Sequence, residues 1–200
     1  YAGKILDWLA QRLVATGDGA AVAAAAERAG TSAGVLLVPA FQGLASPWWQ
    51  PDLRAALLGM SEATGSDHVA HAGLEAVCYQ IRAILEAIGG RSDTAASPLI
   101  RVDGGMTRSR YFMQMQANVL QLPLSPAAAG SATPFGAGLM AGLGAGIWKT
   151  PDDVRAMIAA TGTIRPDRTA SAACDAAYHA WRQAIDMLIA QYGRAGTNPG

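Results

Sequence analysis

Apolar side chains recur at two different spacings along the chain, and together these spacings predict an α/β architecture. Apolar positions three or four residues apart predict amphipathic helices over 4–14, 18–28, 66–88, 107–120, 134–148, 150–160 and 170–192. Short apolar runs bounded by turn-forming residues predict strands at 35–38, 99–102 and 122–125, with an edge strand at 163–167. Strands that alternate with helices are typical of layered α/β domains.

We expect these elements to form a single domain over residues 1–192, followed by a flexible tail over 193–200. Residues 42–64 are predicted to be a long loop or hairpin. Trp48 and Trp49 would pack this segment onto the domain or, if they are exposed, contact another domain. Three or four strands are few for so much helix, so the first strands of the sheet are expected upstream of the sequence.

The bulk composition narrows the kinds of partner that the chain can have. Fifteen basic residues balance fifteen acidic ones, which gives no electrostatic basis for binding nucleic acid or an anionic membrane. No run of about twenty apolar residues is present, so we expect no membrane span. Cys78 and Cys174 stand far apart without a CxxC motif, which fits a reducing cytoplasm better than a disulfide or zinc framework. A small-molecule site or a protein partner is therefore favoured.

The stretch LIRVDGGMTRS, residues 99–109, is the first candidate for a binding site. A strand, an Asp103-Gly104-Gly105 turn and a helix from Thr107 would expose backbone N–H groups where α/β proteins often bind anions. Glycine also removes the Cβ that would keep a ligand away from the backbone. The same residues are equally compatible with a tight turn that binds nothing, and no GxxxxGK[ST] phosphate loop occurs in the chain.

Two other patterns favour a structural role over chemistry. Residues 136–141 fit GxGxxA, but no strand precedes them and no acidic residue stands at the spacing for ribose binding. Close packing of this helix on a sheet is the better interpretation, because its glycines recur every fourth residue at Gly138, Gly142 and Gly146. His68 and His71 share a helix face without a third ligand, and His179 stands apart, which favours a solvated helix start over a metal site.

Several segments, taken in order, resemble the C-terminal domain of the FGGY carbohydrate kinases. They are VPAFQGLASPWWQPDLR (38–54), LEAVCYQIRAILEAI (74–88), RVDGGMTRS (101–109) and MQMQANVLQLPL (113–124). Residues 55–75 fit the second signature of the family, except that Gly73 stands where the family usually has a side chain. The first segment favours the glycerol kinase branch, and the similarity covers about residues 2–182.

The resemblance implies a ribonuclease H-like (actin-like ATPase) α/β fold, a sheet flanked by helices, with two such domains closing around a cleft. In these kinases the glycines of the DGG turn contact the nucleotide, which carries over to Gly104 and Gly105. The asparagine that contacts it four residues later is replaced by the shorter Ser109. A glycine and a glutamine near the start of the domain correspond to Gly3 and Asp7, and a carboxylate near phosphates is unfavourable unless Mg²⁺ or a basic residue intervenes.

The implied activity is transfer of the ATP γ-phosphate to a hydroxyl of glycerol, with ATP and Mg²⁺ as cofactors. Another polyol or a sugar such as xylulose, and a non-catalytic actin-like nucleotide-binding module, are the alternatives. The catalytic aspartate of the family lies upstream of these residues, so we expect the isolated chain to be inactive while binding ATP or ADP weakly. The substrate would be held mainly by an N-terminal domain. We expect the protein to lie in the cytoplasm and to have no nucleic acid or membrane partner. A homo-oligomer is compatible with the sequence.

Overall fold

The computed structural model describes residues 2–14, 17–89, 99–127, 132–155, 157 and 162–193. The helices of this part are α1 (Ala2–Arg12), α2 (Gly19–Ala29), α3 (Ser66–Ala87), α4 (Arg110–Leu120), α5 (Ala132–Gly144), α6 (Pro151–Arg155) and α7 (Arg168–Tyr192). A short 3₁₀ helix covers Gly105–Arg108. The strands are β1 (Leu36–Val38), β2 (Ala56–Leu58), β3 (Ile100–Val102) and β4 (Leu124–Pro126). The predicted α/β class is confirmed, and most of the predicted tail lies outside the described residues.

The strands form two separate pairs within the described ranges. β1 and β2 are antiparallel, with Leu37 opposite Leu57, so the predicted loop or hairpin over 42–64 contains a strand that returns to β1. β3 and β4 are parallel, with Arg101 opposite Ser125. The predicted edge strand at 163–167 is reduced to one antiparallel bridge between Ile164 and Leu124. The pairing of β3 with β4 sets the direction in which the chain leaves β3 towards the DGG turn.

The long helix α3 is the centre of the packing, since α1, α2, α4, α7 and β1 all contact it. Gly73 lets α1 approach closely, because a Cβ at this position would lie 2.3 Å from the Leu9 side chain. At the other side, Trp181 is fully buried and its Nε1–H donates to the Leu37 carbonyl at 2.8 Å. Trp48 packs edge-on against Trp181, with 5.6 Å between the ring centroids, so it anchors the 42–64 segment as predicted.

Trp49 differs from its neighbour, because 72% of its surface is exposed and it has a positive φ of 51°. Packing of this residue onto the domain, one of the two predicted roles, is therefore wrong for Trp49.

The predicted caps of α2 are confirmed. The Asp18 carboxylate accepts hydrogen bonds from the backbone N–H groups of Ala20 and Ala21, and Gly30 ends the helix with a φ of 66°.

The prediction that the glycine face of α5 packs on a sheet is wrong. A Cβ at Gly138 would meet nothing within 4 Å, whereas one at Gly142 would lie 1.8 Å from the ring of Trp148. Gly146 lies beyond the end of the helix, in a turn with a φ of 74°. The helix stops at Gly144 rather than at Trp148, and beyond it the chain folds back so that the indole ring of Trp148 covers Gly142.

The histidines also depart partly from the prediction of a solvated helix start. His68 accepts a hydrogen bond at Nδ1 from the N–H of Gly65 at 3.0 Å and thereby caps α3. His71 is only 6% exposed, with its Nδ1 3.5 Å from the Glu75 carboxylate, because this face of α3 turns inward. In the described ranges no set of three His, Cys, Asp or Glu side chains is placed to hold a metal. Nor does any helix there have the length and apolar character needed to span a bilayer.

Candidate functional site

An open cleft of about 1030 Å³ lies where α1, α2, α3 and the segment from β3 to α4 converge. All five of the residues proposed from the sequence line this cleft: Gly3, Asp7, Gly104, Gly105 and Ser109. They come from segments about 100 residues apart in the sequence. The fold therefore brings together residues that the sequence identified separately.

The DGG turn leaves its backbone open to this cleft. Gly104 has φ 116° and ψ 171°, a conformation that side-chain-bearing residues rarely adopt. Its carbonyl accepts hydrogen bonds from the N–H of Thr107 at 3.1 Å and from the Thr107 hydroxyl at 2.7 Å. A Cβ at Gly104 or at Gly105 would meet no atom within 4 Å. A ligand can therefore approach the backbone of both glycines without displacing a side chain.

The prediction that a helix begins near Thr107 is wrong. Residues 105–108 form a 3₁₀ helix, because the N–H groups of Thr107 and Ser109 donate to the carbonyls three residues before them, each at 3.1 Å. The α-helix begins at Arg110, and its N-cap is Ser109, whose Oγ accepts a hydrogen bond from the N–H of Phe112 at 3.2 Å. Serine and asparagine are both strong N-cap residues, so the position keeps its structural role in this chain. The Ser109 hydroxyl can still donate its own proton towards the cleft.

On the opposite wall, α1 and the start of α2 lie close to the turn. A Cβ at Gly19 would stand 3.7 Å from Asp7 Oδ1 and 4.0 Å from the sulfur of Met106. Gly3 lies one helical turn before Asp7, and a Cβ there would meet nothing within 4 Å. The Asp7 carboxylate makes no hydrogen bond or ion pair with any residue that the structure describes. It is therefore available to a ligand or a cation.

The cleft also has an apolar side that sequence reasoning did not assign to a site. Helix α3 contributes Val77, Ile81 and Leu85, which repeat every four residues and so lie on one face. Helix α2 contributes Ala20, Ala23 and Ala24, again at helical spacing. The helical spacing of both sets was visible in the sequence. It could not show that the apolar faces of α2 and α3 are separated by an open space. A flat apolar group would fit against such walls.

Polar residues that the sequence analysis missed stand at the edges of this apolar side. Glu27 and Tyr111 line the cleft, and Tyr111 also packs edge-on against His71 with 6.1 Å between the ring centroids. Burial raises the pKa of the Tyr111 hydroxyl, and the negative charges of Glu75 and Glu27 raise it further. Tyr111 is therefore a neutral hydrogen-bond donor at physiological pH. Its place two residues after the family motif was the signal that could have identified it.

Comparison with known proteins assigns the chain to a family. Residues 1–145 match the FGGY family of carbohydrate kinases, C-terminal domain. The glycerol kinase of Alteromonas mediterranea is 37% identical over 187 residues, which cover 94% of this chain and 37% of the relative. The glycerol kinase of Alcanivorax borkumensis is 40% identical over 153 residues, which cover 76% of this chain and 31% of the relative. The chain thus spans less than two-fifths of the length of these relatives.

Solved structures give the same picture. The Plasmodium falciparum glycerol kinase with ADP matches with a TM-score of 0.78 and 26% identity, over 94% of this chain and 37% of that one. The xylulose kinase of Rhodospirillum rubrum matches with a TM-score of 0.74 and 28% identity, over 93% and 38%. A ligand-bound xylulose kinase from Lactobacillus acidophilus, at 19% identity, shares the fold with a TM-score of 0.83 over 97% and 39%.

Proposed function

The chain belongs to the FGGY family of carbohydrate kinases, and on that premise we propose that it binds ATP and presents the γ-phosphate to a hydroxyl of glycerol. The observation that supports this most strongly is the convergence of the five predicted contacts on one open cleft. We also propose that the chain has the ribonuclease H-like (actin-like ATPase) fold. It is supported by the similarity to the glycerol kinase that was solved with ADP.

The two sides of the cleft suit the two ends of a nucleotide. The apolar faces of α2 and α3 suit the base, since a flat ring gains from leaving water there. The open backbone at Gly104 and Gly105 suits the phosphates, because a glycine backbone allows close approach and its N–H groups donate hydrogen bonds to anions. The Ser109 hydroxyl adds a donor between these two regions. In this arrangement the nucleotide lies along the wall, with its phosphates at the DGG turn.

Mg²⁺ accompanies ATP in phosphoryl transfer, and the donors of the cleft fit a metal that is held mainly by phosphate oxygens and water. Of the carboxylates that line the cleft, we assign Asp7 to it, because a Cβ at Gly19 would stand 3.7 Å from Asp7 Oδ1 and 4.0 Å from Met106, which follows the DGG turn, while Asp18 is committed to the cap of α2. When bound, the ion would neutralise charge on the phosphates. This assignment gives a physical reason for a carboxylate where the family has glutamine. It predicts that Asp7→Asn reduces the dependence of ATP affinity on Mg²⁺.

We propose that the acceptor site and the catalytic base lie in the part of the relatives that this chain does not span. We propose glycerol as the acceptor because the relatives at 37% and 40% identity are glycerol kinases. Xylulose is the second candidate, favoured by the solved xylulose kinase at 28% identity. The proposed base is an aspartate of an N-terminal domain, so the 200-residue chain alone should not catalyse transfer. We place the complete kinase in the cytoplasm.

The first test is nucleotide binding by the purified chain. Calorimetric titration should detect ADP and Mg²⁺–ATP binding, and Gly105→Val should abolish it by filling open space in the cleft without a positive φ to strain. Gly138→Val is the matched control, since its Cβ also meets nothing within 4 Å but lies on α5, away from the cleft. Absence of binding by the wild-type chain, or equal affinity in Gly105→Val, would contradict the proposed site.

The second test is activity in a protein that joins this chain to the N-terminal part found in its relatives. ADP release should be measured with glycerol, with xylulose and with no acceptor. Glycerol-dependent release is the expected result. ADP release with xylulose but not with glycerol would identify xylulose as the acceptor. Nucleotide binding without ADP release that depends on an acceptor would indicate a non-catalytic nucleotide-binding module.

A further inference from the structure

Two arginines of the cleft have no partner in the part of the chain that the structure describes. Arg108 ends the 3₁₀ turn and Arg110 begins α4, on either side of the Ser109 cap. Both side chains are exposed and both line the cleft. Other arginines are engaged: Arg28 pairs with Asp67 at 3.0 Å, and Arg82 is held by two carboxylates. The two cleft arginines are therefore free to meet an anionic ligand.

Two other sources of positive potential at this cleft are already in use. Arg101 also lines the cleft, but it has a partner. The N-terminus of α2 lines the cleft as well, but the Asp18 carboxylate accepts from the N–H groups of Ala20 and Ala21 at 3.0 Å each. The opposite wall also carries the carboxylates of Asp7 and Glu27. An anion that enters the cleft is thus repelled from the α1–α2 side. On the side of the turn, Asp103 also lines the cleft, but it already has a partner. The segment 105–110 is therefore the side that attracts the anion.

We propose that Arg108 and Arg110 bind the phosphate groups of the nucleotide, and that they determine the preference of the cleft for ADP and ATP over uncharged nucleosides. This inference rests on the proposed nucleotide function. Both arginines follow Gly105 closely, by three and five residues, so their backbone is fixed beside the glycines that leave room for phosphates. The guanidinium group donates two parallel hydrogen bonds to phosphate oxygens, which gives orientation as well as charge.

Substitution at these positions should leave the fold intact. Arg110 occupies the first position of α4, where a positive charge is unfavourable to the helix dipole, so its removal costs the helix nothing. Arg108 has no bond to a described residue that its removal would break. Arg168, the first residue of α7, is also exposed but lies outside the cleft. Arg168→Ala is therefore a control with the same change of charge.

The experiment is calorimetric titration of the 200-residue chain, as wild type, Arg108→Ala, Arg110→Ala, the double variant and Arg168→Ala, with adenosine, ADP and ATP. Each cleft variant should bind ADP and ATP about tenfold more weakly, the effect of losing one charge-assisted contact. Adenosine affinity should stay unchanged in every variant. The double variant should also show a weaker dependence of ADP affinity on salt, since fewer charges are screened. Circular dichroism and thermal unfolding verify the fold of each variant.

The outcomes separate this inference from the function on which it rests. If the wild type binds ADP and the double variant binds it within about twofold, the role of the arginines is refuted while the nucleotide site stands. An equal loss for adenosine and ADP would also refute it, because the arginines would then not act on phosphates. If the wild type binds none of the three ligands, the proposed nucleotide function is itself overturned.

Discussion

Arg82 joins α3 to α7, and replacing it with methionine tests how much this connection stabilises the fold. Its side chain is 6% exposed, and its Nε donates to Glu86 at 3.0 Å. Its Nη1 donates to the carboxylate of Asp175 and to the carbonyl of Val119 at 3.2 Å. The guanidinium carbon lies 4.2 Å from the centroid of the Tyr178 ring. Burial lowers the pKa of Arg82, but the bonds to Glu86 and Asp175 outweigh it, so the pKa is raised and the group stays charged.

The magnitude follows from what Arg82→Met leaves behind. Methionine refills much of the volume of the arginine stem, so the packing loss is small. The Val119 carbonyl loses a buried donor, which costs about 1–3 kcal/mol. Breaking a fully buried ion pair costs about 3–5 kcal/mol, but water can reach Glu86 and Asp175 here, whose side chains are 31% and 40% exposed. We therefore expect a loss of about 2–4 kcal/mol in the free energy of unfolding.

The assay is urea unfolding followed by tryptophan fluorescence, since Trp181 is fully buried in the folded chain. Arg182→Met is the matched control, because Arg182 is 37% exposed, lies 3.8 Å from the Glu86 carboxylate and donates to the Tyr178 hydroxyl at 3.3 Å. A partly exposed pair of this kind contributes about 0–1 kcal/mol. A loss below about 1 kcal/mol for Arg82→Met, or one no larger than that of the control, would refute the assigned role.

Four further predictions concern two glycines and the two cysteines. Gly73→Ala should lower the unfolding free energy by about 0–2 kcal/mol in urea, because its Cβ would lie 2.3 Å from Leu9 Cδ1 while alanine regains about 1 kcal/mol of helix propensity; a raised midpoint would contradict this packing. Gly104→Ala should weaken ADP binding in calorimetric titration and cost about 1–3 kcal/mol of stability, because its φ of 116° strains any side chain; equal stability and affinity would argue against the turn geometry. The pKa of the Cys78 thiol is raised above its usual 9.0 by burial and then by neighbouring negative charges. Its neutral form thus stabilises the fold below about pH 9, and stability should fall as pH rises further, less steeply in Cys78→Ala; an equal fall of the urea midpoint in both chains between about pH 8 and pH 10 would contradict this. The half-buried Cys174 should react with a thiol reagent before Cys78 does, and the reverse order would be inconsistent with their burial.

The elements that local signals define were predictable from the sequence. Helix α3 was expected over 66–88 and covers Ser66–Ala87, because its apolar stripe is long and regular. The caps of α2 at Asp18 and Gly30 were expected from residue type alone. Capping and periodicity act within a few residues, so the sequence contains all that is needed to read them.

Other features depend on contacts between distant segments, and sequence reasoning missed these. His71 looked like a polar residue at the start of a helix, yet α3 is surrounded on several sides and buries it. The glycines of α5 had a spacing typical of close packing, but Trp148 folds back on Gly142 while Gly138 stays uncovered. Periodicity shows that small, apolar or polar residues share one face of a helix, but it does not show which residues pack against that face.

The DGG turn illustrates what the three-dimensional structure adds to a motif. The residues alone were equally compatible with an empty turn and with a ligand cradle. In the folded chain, Thr107 satisfies the Gly104 carbonyl and Ser109 caps α4, so the turn is held by its own hydrogen bonds before any ligand arrives. The two glycines remain uncovered on the wall of the cleft. A preformed turn of this kind loses little conformational freedom when a ligand binds, so the contacts made there contribute more of their energy to affinity.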